Sequence, residues 1–327
     1  MTRLRPIAVL RMLALALLTT ASFIAAAQEY PSKSISMVVP YPPGSGSDVA
    51  ARVISNRLSE LVHQQILIDN RPGASTNIGT EYVAKAAPDG YTLLFQAPNL
   101  ATNQWLFANP RWTSGDFAAV ILIGRYSNVL AAGPSAPTHD FRELLALTKK
   151  TPKAYTYGSP GVGSVSNLAT ELLKQRTGLS IEHVSYRGPS QMAVDLAGGH
   201  IPYAVSNLNN VLNIMRDSKS PVKPLLVLAS KRDPAAPDVP CLGDLGISNL
   251  EGSGWYGIVA PGKTPKAVVQ RLNVEIGKVL ETPDVRARLK EMFLDIAGGS
   301  PEVFARFLDS ETQKWGETVR QAGMKAE

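Results

Sequence analysis

The sequence predicts an α/β protein of two domains, each a largely parallel sheet flanked by helices, with a ligand cleft between them. Three observations carry this reading. β-Branched runs alternate with helically spaced apolar runs from residue 35 onward, two of the strand-to-helix turns are glycine-rich and built alike, and 327 residues exceed one ordinary domain. A composition 44% hydrophobic and 18% charged suits a globular chain and excludes a disordered tail or a miniprotein.

Taken in order, Ile35 to Pro40 reads as a strand. Gly, Pro and Ser residues follow, then Ala50, Ile54, Leu58 and Leu61 at helical spacing, which makes a β-loop-α unit with Ser47 as the expected N-cap. Gln65 to Asp69 is a second strand, Ile78 to Ala86 a helix opened by Asn77, and Tyr91 to Phe95 a third strand after the turn Pro88-Asp89-Gly90. The β-α-β-α-β order implies parallel pairing. Ala119 to Gly124 and Val129 to Ala132 are strands, and Asp140-Phe141-Arg142-Glu143 opens a helix to Lys150 with a capping-box pattern. Tyr155 to Gly158, Ile181 to Ser185, Ile201 to Val205 and Val222 to Leu228 then read as strands. Val165 to Gln175, Ser190 to Leu196 and Leu208 to Arg216 are the helices between them. Past a Pro-rich passage come strand Trp255 to Ala260 and helices Pro265 to Leu280, Asp284 to Met292 and Pro301 to Ala322.

Residues 1–27 have the form of a cleaved secretory leader: a basic start, an apolar stretch from Met12 to Ile24, then Ala25-Ala26-Ala27 before Gln28. The stretch is shorter than the ~20 residues that cross a bilayer, so export to the periplasm is expected. The formal charge of +6 includes Arg3, Arg5 and Arg11 of the leader; without them 30 basic residues face 27 acidic ones, or +3. No basic run interleaved with aromatics occurs, which argues against nucleic acid as a partner. The lone Cys241 permits no intramolecular disulfide and reads as a packed thiol; a monomer is the default expectation.

The chemistry-bearing signals are few. Tyr41-Pro42-Pro43-Gly44-Ser45-Gly46-Ser47-Asp48 ends a strand and opens a helix, where free backbone N–H groups are suited to an anion. The same segment also reads as an ordinary tight turn. Ser159-Pro160-Gly161-Val162-Gly163-Ser164 repeats the construction in the second domain, so the two loops can face each other across a cleft. Gly257 to Thr264 satisfies G-x-x-x-x-G-K-[ST], but the intervening positions carry a strand and Pro265 delays the helix, with Thr264 as its expected cap; the match is a coincidence. His63, His139, His183 and His200 show no metal-ligand spacing and read as solvated or strand-end residues, and no catalytic motif occurs. No cofactor or metal is expected. Asp48, if ionised and facing the cleft, would repel a carboxylate, so it is expected to turn into its own loop. Tyr41, Trp105, Tyr186 and Trp255 are suited to a pocket or to the core, and Arg187 to an anion or to solvent.

The chain resembles the substrate-binding receptors of tripartite tricarboxylate transporters, the Bug-type periplasmic binding proteins. The markers are Tyr30-Pro31-Ser32-Lys33, Val39 to Gly44, Asn70-Arg71-Pro72-Gly73-Ala74, Ala86 to Leu93, Tyr157 to Ser164 and Trp255-Tyr256-Gly257, in order over residues 29–323. The resemblance implies a type II, Venus-flytrap fold, with residues 28–128 plus 253–327 forming the first domain and 129–252 inserted as the second. It implies capture of a small, usually carboxylated, organic acid and delivery to membrane permease subunits. By position it also implies ligand contacts at Tyr41, Gly44, Ser45, Gly46, Ser47 and Asp48, at Gly161, Val162, Gly163 and Ser164, and at Asn99, Tyr186, Arg187, Gly188 and Asn207. Ser45, Ser47, Asn167, Ser206 and Pro98-Asn99-Leu100 depart from the family's usual residues where selectivity is set. A secreted enzyme using Asp48 or Ser164, and a sensor presenting to a membrane kinase, are the alternatives.

Overall fold

The computed structural model describes residues 30–215, 220–248 and 250–325; the leader at residues 1–27 and the helix end placed at Arg216 lie outside the described residues. In chain order the regular elements open with β1 (Ile35–Val39), α1 (Gly46–Val62), β2 (Ile66–Asn70), α2 (Asn77–Ala84), β3 (Thr92–Gln96), α3 (Asn99–Leu106) and β4 (Phe117–Tyr126). They continue with β5 (Asn128–Ala132), α4 (Phe141–Lys150), β6 (Thr156–Ser159), α5 (Val165–Thr177), β7 (Glu182–Ser185), α6 (Pro189–Ala197), β8 (Tyr203–Asn207), α7 (Leu208–Met215) and β9 (Lys223–Val227). The chain closes with β10 (Gly254–Pro261), α8 (Lys266–Glu281), α9 (Pro283–Glu291), β11 (Asp295–Gly298) and α10 (Pro301–Ala322).

These strands form two sheets, one of order β11-β4-β10-β3-β1-β2 and one of order β7-β6-β8-β5-β9. β1 pairs in parallel with β2 and β3, and β6 with β7 and β8, as the alternating pattern requires. β4, β10 and β11 join the first sheet antiparallel, and β5 joins the second the same way. Because both faces of each sheet are covered, the central strands are apolar at consecutive positions and their side chains alternate between two cores. Met37 and Val39 enter the core under α1, α8 and α9, whereas Val38 between them enters the core shared with α3 and α10. In the second sheet Leu130 and Val205 face that same shared core, and Val129 and Ala204 face the one beneath α6 and α7. One apolar cluster therefore runs from sheet to sheet through α3, α5 and α10.

Only Ser127 separates β4 from β5, so the chain passes from one sheet to the other within a single residue. Asn128, 1% exposed, ties this crossing to the returning chain. Its Nδ2 donates to Gly252 O at 2.6 Å, its Oδ1 accepts from Ser166 Oγ at 3.0 Å, and its carbonyl accepts from Leu228 N at 2.8 Å. Nearby, Glu311 of α10 is buried and accepts from Trp255 Nε1 at 3.1 Å and Trp315 Nε1 at 2.9 Å, while Lys314 pairs with its other oxygen. Trp255 is thus a core residue. Trp105, by contrast, is half-exposed on α3 and leans on α10, where its Nε1 donates to Thr312 O at 3.0 Å.

Two elements have no counterpart in the sequence pattern, and two cap assignments are corrected. Asn99 to Leu106 is a helix: its buried face includes Thr102 and Asn103, so no apolar stripe marks it. β11 is a four-residue edge strand in which exposed Asp295 and Ala297 alternate with half-buried Ile296 and Gly298. The cap of α1 is Ser45, whose Oγ accepts from Asp48 N at 3.3 Å, rather than Ser47, which is buried. Thr264 does not cap α8: its amide donates to Pro261 O in a turn, and its buried Oγ1 has no partner. Gly257 to Pro261 lies within β10, which disposes of the nucleotide-loop match. Cys241 is buried, with Sγ 3.5 Å from Ser230 O.

Replacing Glu311 with Leu leaves two buried indole N–H groups without an acceptor. The expected result is a lower denaturant midpoint, corresponding to about 2–4 kcal/mol, in chemical unfolding followed by tryptophan fluorescence. A midpoint equal to that of the unmodified chain would show that the two indoles find other partners.

Candidate ligand-binding site

The first glycine loop is built around Asp48. Its Oδ2 accepts from Gly44 N at 2.9 Å and from Arg52 Nε at 2.9 Å, and its Oδ1 from Asn70 Nδ2 at 2.9 Å. Asn70 also donates to Tyr41 O at 3.1 Å and accepts from Arg52 at 3.0 Å, so the strand-end asparagine knots β2 to the loop. Asp48 is 2% exposed and turned into its own loop. Burial alone would raise its pKa; hydrogen bonds from Arg52, Gly44 and Asn70 outweigh it and hold the carboxyl below its ordinary value of 3.8. Gly44, at φ +80°, takes the left-handed conformation that lets its amide turn back to that carboxylate.

Beneath this loop lie three tyrosines. Tyr256 Oη would sit 3.1 Å from a Cβ at Gly46, and the Tyr256 ring packs 5.0 Å from that of Tyr126. Burial pushes the Tyr256 pKa up to about 12, with a hydrogen bond to Ser47 acting the other way. Tyr41 Oη lies 2.7 Å from Gln96 Oε1 and 3.1 Å from Asn99 Oδ1, which brings the first loop onto the start of α3. Gln96 Nε2 in turn donates to Thr80 Oγ1 at 2.8 Å and reaches Thr76 Oγ1 at 3.4 Å. That network supports an unusual turn. Ala74, Ser75 and Thr76 have φ of 46°, 50° and 80°, a left-handed run that costs non-glycine residues about 1–2 kcal/mol each. Asn103 Nδ2 holds Ser75 O at 2.6 Å, and Thr80 Oγ1 holds Thr76 O at 2.9 Å.

The second loop is ordered in the same way by different residues. Ser164 caps α5 by accepting from Asn167 N at 3.3 Å, and Gly163 N donates to Asn167 Oδ1 at 3.1 Å. Asn167 Nδ2 donates to Tyr157 Oη at 2.9 Å, and Tyr157 to Glu171 Oε1 at 3.0 Å. α3 bridges the two loops: Thr102 Oγ1 donates to Gly163 O at 3.4 Å, and a Cβ on Gly163, itself at φ +76°, would meet Leu106 Cδ1 at 2.2 Å. Among the described residues, the chain supplies no acceptor for the amides of Gly46 and Ser47 in the first loop, or of Val162, Val165 and Ser166 in the second.

The remaining expected residues lie close to these loops but are differently engaged. Tyr186 N donates to Ser159 O at 3.1 Å beside the second loop, while its hydroxyl donates to Asp195 Oδ2 at 2.8 Å. Arg187 is exposed, and Gly188 precedes α6. Asn207, at the end of β8, uses its Oδ1 on Asn209 N at 2.8 Å. Thr102, Leu106 and Asn103 were not read from the sequence as part of the site; a buried polar Thr-Asn pair within a short segment is the only signal that could have revealed them.

Residues 50–324 match the family described as the tripartite tricarboxylate transporter family receptor. The chain belongs to that family. Among curated relatives, this receptor is 34% identical over 320 residues to the UPF0065 protein in the tcbD-tcbE intergenic region of Pseudomonas sp. strain P51, covering 97% of this chain and 95% of that one. It is 32% identical over 302 residues to protein BugT of Bordetella pertussis, covering 91% and 92%. Among solved structures, R. palustris Rpa4515 with adipate aligns at TM-score 0.83 and 32% identity, covering 91% of this chain and 99% of that one. MatC from Rhodopseudomonas palustris with bound malate aligns at 0.79 and 28%, covering 89% and 100%. The motif resemblance and the α/β periplasmic binding-protein fold are thereby both shown.

The depressed Asp48 pKa stabilises the receptor at pH values above the unfolded value near 4, and that contribution is lost as pH falls through the lower folded value. Asp48→Asn is therefore expected to flatten the acid limb of the thermal-stability profile between about pH 5 and 2. Parallel melting curves for variant and unmodified receptor across that range would exclude the assignment.

Proposed function

We propose that this receptor captures a small carboxylated organic solute in the periplasm and hands it, unchanged, to membrane permease subunits. The observation that carries this reading is the pair of loops at helix starts. Each is pinned by its own side chains, so that amides with no internal acceptor remain for an anion. The arrangement needs no arginine. Asp48, the acid nearest the first set of amides, is already neutralised by Arg52 and directed away from them.

Adipate and malate, named with two structural neighbours, are both dicarboxylates, which supports two anion-holding loops at opposite ends of one ligand. Tyr41, Gly44 to Asp48 and Asn99 serve one end in this reading, and Gly161 to Ser164 the other, with Tyr186 to Gly188 and Asn207 flanking. The domains divide as 28–128 plus 253–327 against 129–252, and closure turns about Ser127 and the Asn128–Gly252 tie. Export depends on a leader at residues 1–27, removed between Ala27 and Gln28. Closure excludes water and strengthens each amide–carboxylate bond.

The test is a thermal-shift screen of the chain from Gln28 onward against C4 to C8 dicarboxylates, tricarboxylates, aromatic acids and amino acids, with calorimetry on each hit. A ligand at 100 times its dissociation constant should add about 2.7 kcal/mol, and Gly44→Val and Gly161→Val should each remove the effect. A hit converted to product would overturn the receptor reading, and stabilisation by neutral solutes alone would overturn the carboxylate one.

A further inference from the structure

Neither the expected site residues nor the second loop's α5 cap includes His183, yet its ring contacts the serine from which that loop starts. His183 Nε2 lies 2.7 Å from Ser159 Oγ. Ser159, fully buried at the end of β6, touches Gly161 from both sides: its Oγ accepts from Gly161 N at 3.3 Å and lies 3.1 Å from Gly161 O. The His183 ring also packs 5.0 Å from that of Tyr157, whose hydroxyl begins the relay through Asn167 to Gly163. Two side chains of β6, two residues apart, thus anchor the two glycines of the loop, and His183 on the neighbouring β7 contacts both.

Hydrogen counting decides what the imidazole does. Gly161 O already receives Ser164 Oγ at 2.8 Å and Ser164 N at 3.2 Å, which fills its two lone pairs. The single Ser159 proton is therefore best placed on a bare His183 Nε2, leaving Ser159 Oγ free to accept from Gly161 N. A protonated ring would reverse this bond and drive the Ser159 hydroxyl onto Gly161 O as a third donor.

We propose that His183, acting through Ser159, is a positioning residue for the ligand loop, and that the loop holds its solute best while the ring is neutral. The inference rests on reading residues 161–164 as part of the binding site. The charged and titratable groups around the ring are Glu171 and Lys174 on α5, which pair with each other at 3.0 Å, Tyr157 on β6, and Glu182 on its own strand, paired with Lys153 at 3.6 Å. Burial lowers the His183 pKa below 6.5, opposed by Glu171 and assisted by Lys174, so the ring is neutral at pH 7 and charges only in acid.

The first measurement needs no ligand. In 15N-labelled receptor titrated from pH 8 to 5, the imidazole of His183, assigned from a His183→Gln variant, should titrate below 6.5. The amides of Gly161 and Ser164 should shift with the same midpoint, and in Ser159→Ala they should stop following it. Amides of the loop that ignore the His183 midpoint would overturn the proposal. The second measurement uses whichever of succinate, malate and adipate binds the unmodified receptor. His183→Gln and Ser159→Ala, confirmed as folded by circular dichroism, should each raise Kd about five- to tenfold at pH 7.5. Both should flatten the rise in Kd that the unmodified receptor shows between pH 7 and 5.5, whereas His200→Gln should change neither. Unaltered Kd and pH profile in folded variants would overturn it. If none of the three acids binds, the carboxylate reading fails while the amide titration still decides this proposal.

Discussion

The binding proposed for this receptor, an anion held mainly by backbone N–H groups, requires that those groups be kept free of internal acceptors, and the two loops meet that constraint. A helix start exposes such groups, but an unsupported loop would fold back onto them or remain disordered. Here each loop is fixed by side chains that bond to neighbouring atoms and spare the amides needed outside. Asp48, Ser45 and Asn70 do this for one loop; Ser164, Asn167 and Ser159 do it for the other. The two sets share one motif: in Gly44-Ser45-Gly46-Ser47-Asp48 and Gly163-Ser164-Val165-Ser166-Asn167 the glycine amide donates to the side chain four residues on, whose own amide donates to the capping serine. They also share the position of a strand end directly beneath a helix start, which the parallel sheets supply twice.

Holding the loops is only half of the arrangement, because they belong to different sheets and must keep a defined separation. α3 meets that need. Its first turn touches Tyr41, and its later turns touch Gly163, so the helix acts as a spacer between the two loops. The left-handed run from Ala74 to Thr76 belongs to the same support, since Asn103 of α3 binds Ser75 and Gln96 reaches Thr76. Strain of this kind persists only where the surroundings over-determine it, and here α2, β3 and α3 converge on three residues.

The fold was legible because burial on both faces of a central strand writes a continuous apolar run into the sequence, and most such runs were followed by a helical period. Every central strand declared itself in this way, from Ile35–Val39 to Gly254–Pro261. Two elements escaped for opposite reasons. β11 is a short edge strand with nothing to bury on alternate positions. α3 buries Thr102 and Asn103, polar groups whose partners lie far away in sequence and which no local pattern can announce. The glycine loops were likewise legible as loops, since Gly44 and Gly163 occupy positive φ. Their anchors were less so: Ser159 and His183 look ordinary until β6 and β7 are laid side by side.

The lone thiol has a practical consequence. Cys241 is buried against the Ser230 carbonyl and sits where β9 meets the returning chain, so a bulky maleimide has no route to it without local opening. A cysteine introduced on the surface would then be the sole reactive sulfur on the folded molecule. Placed near the mouth of the cleft, such a residue would carry a solvent-sensitive dye whose emission reports occupancy in real time. The natural chain is therefore already prepared as a scaffold for a single-label optical biosensor, with no competing sulfur to remove first.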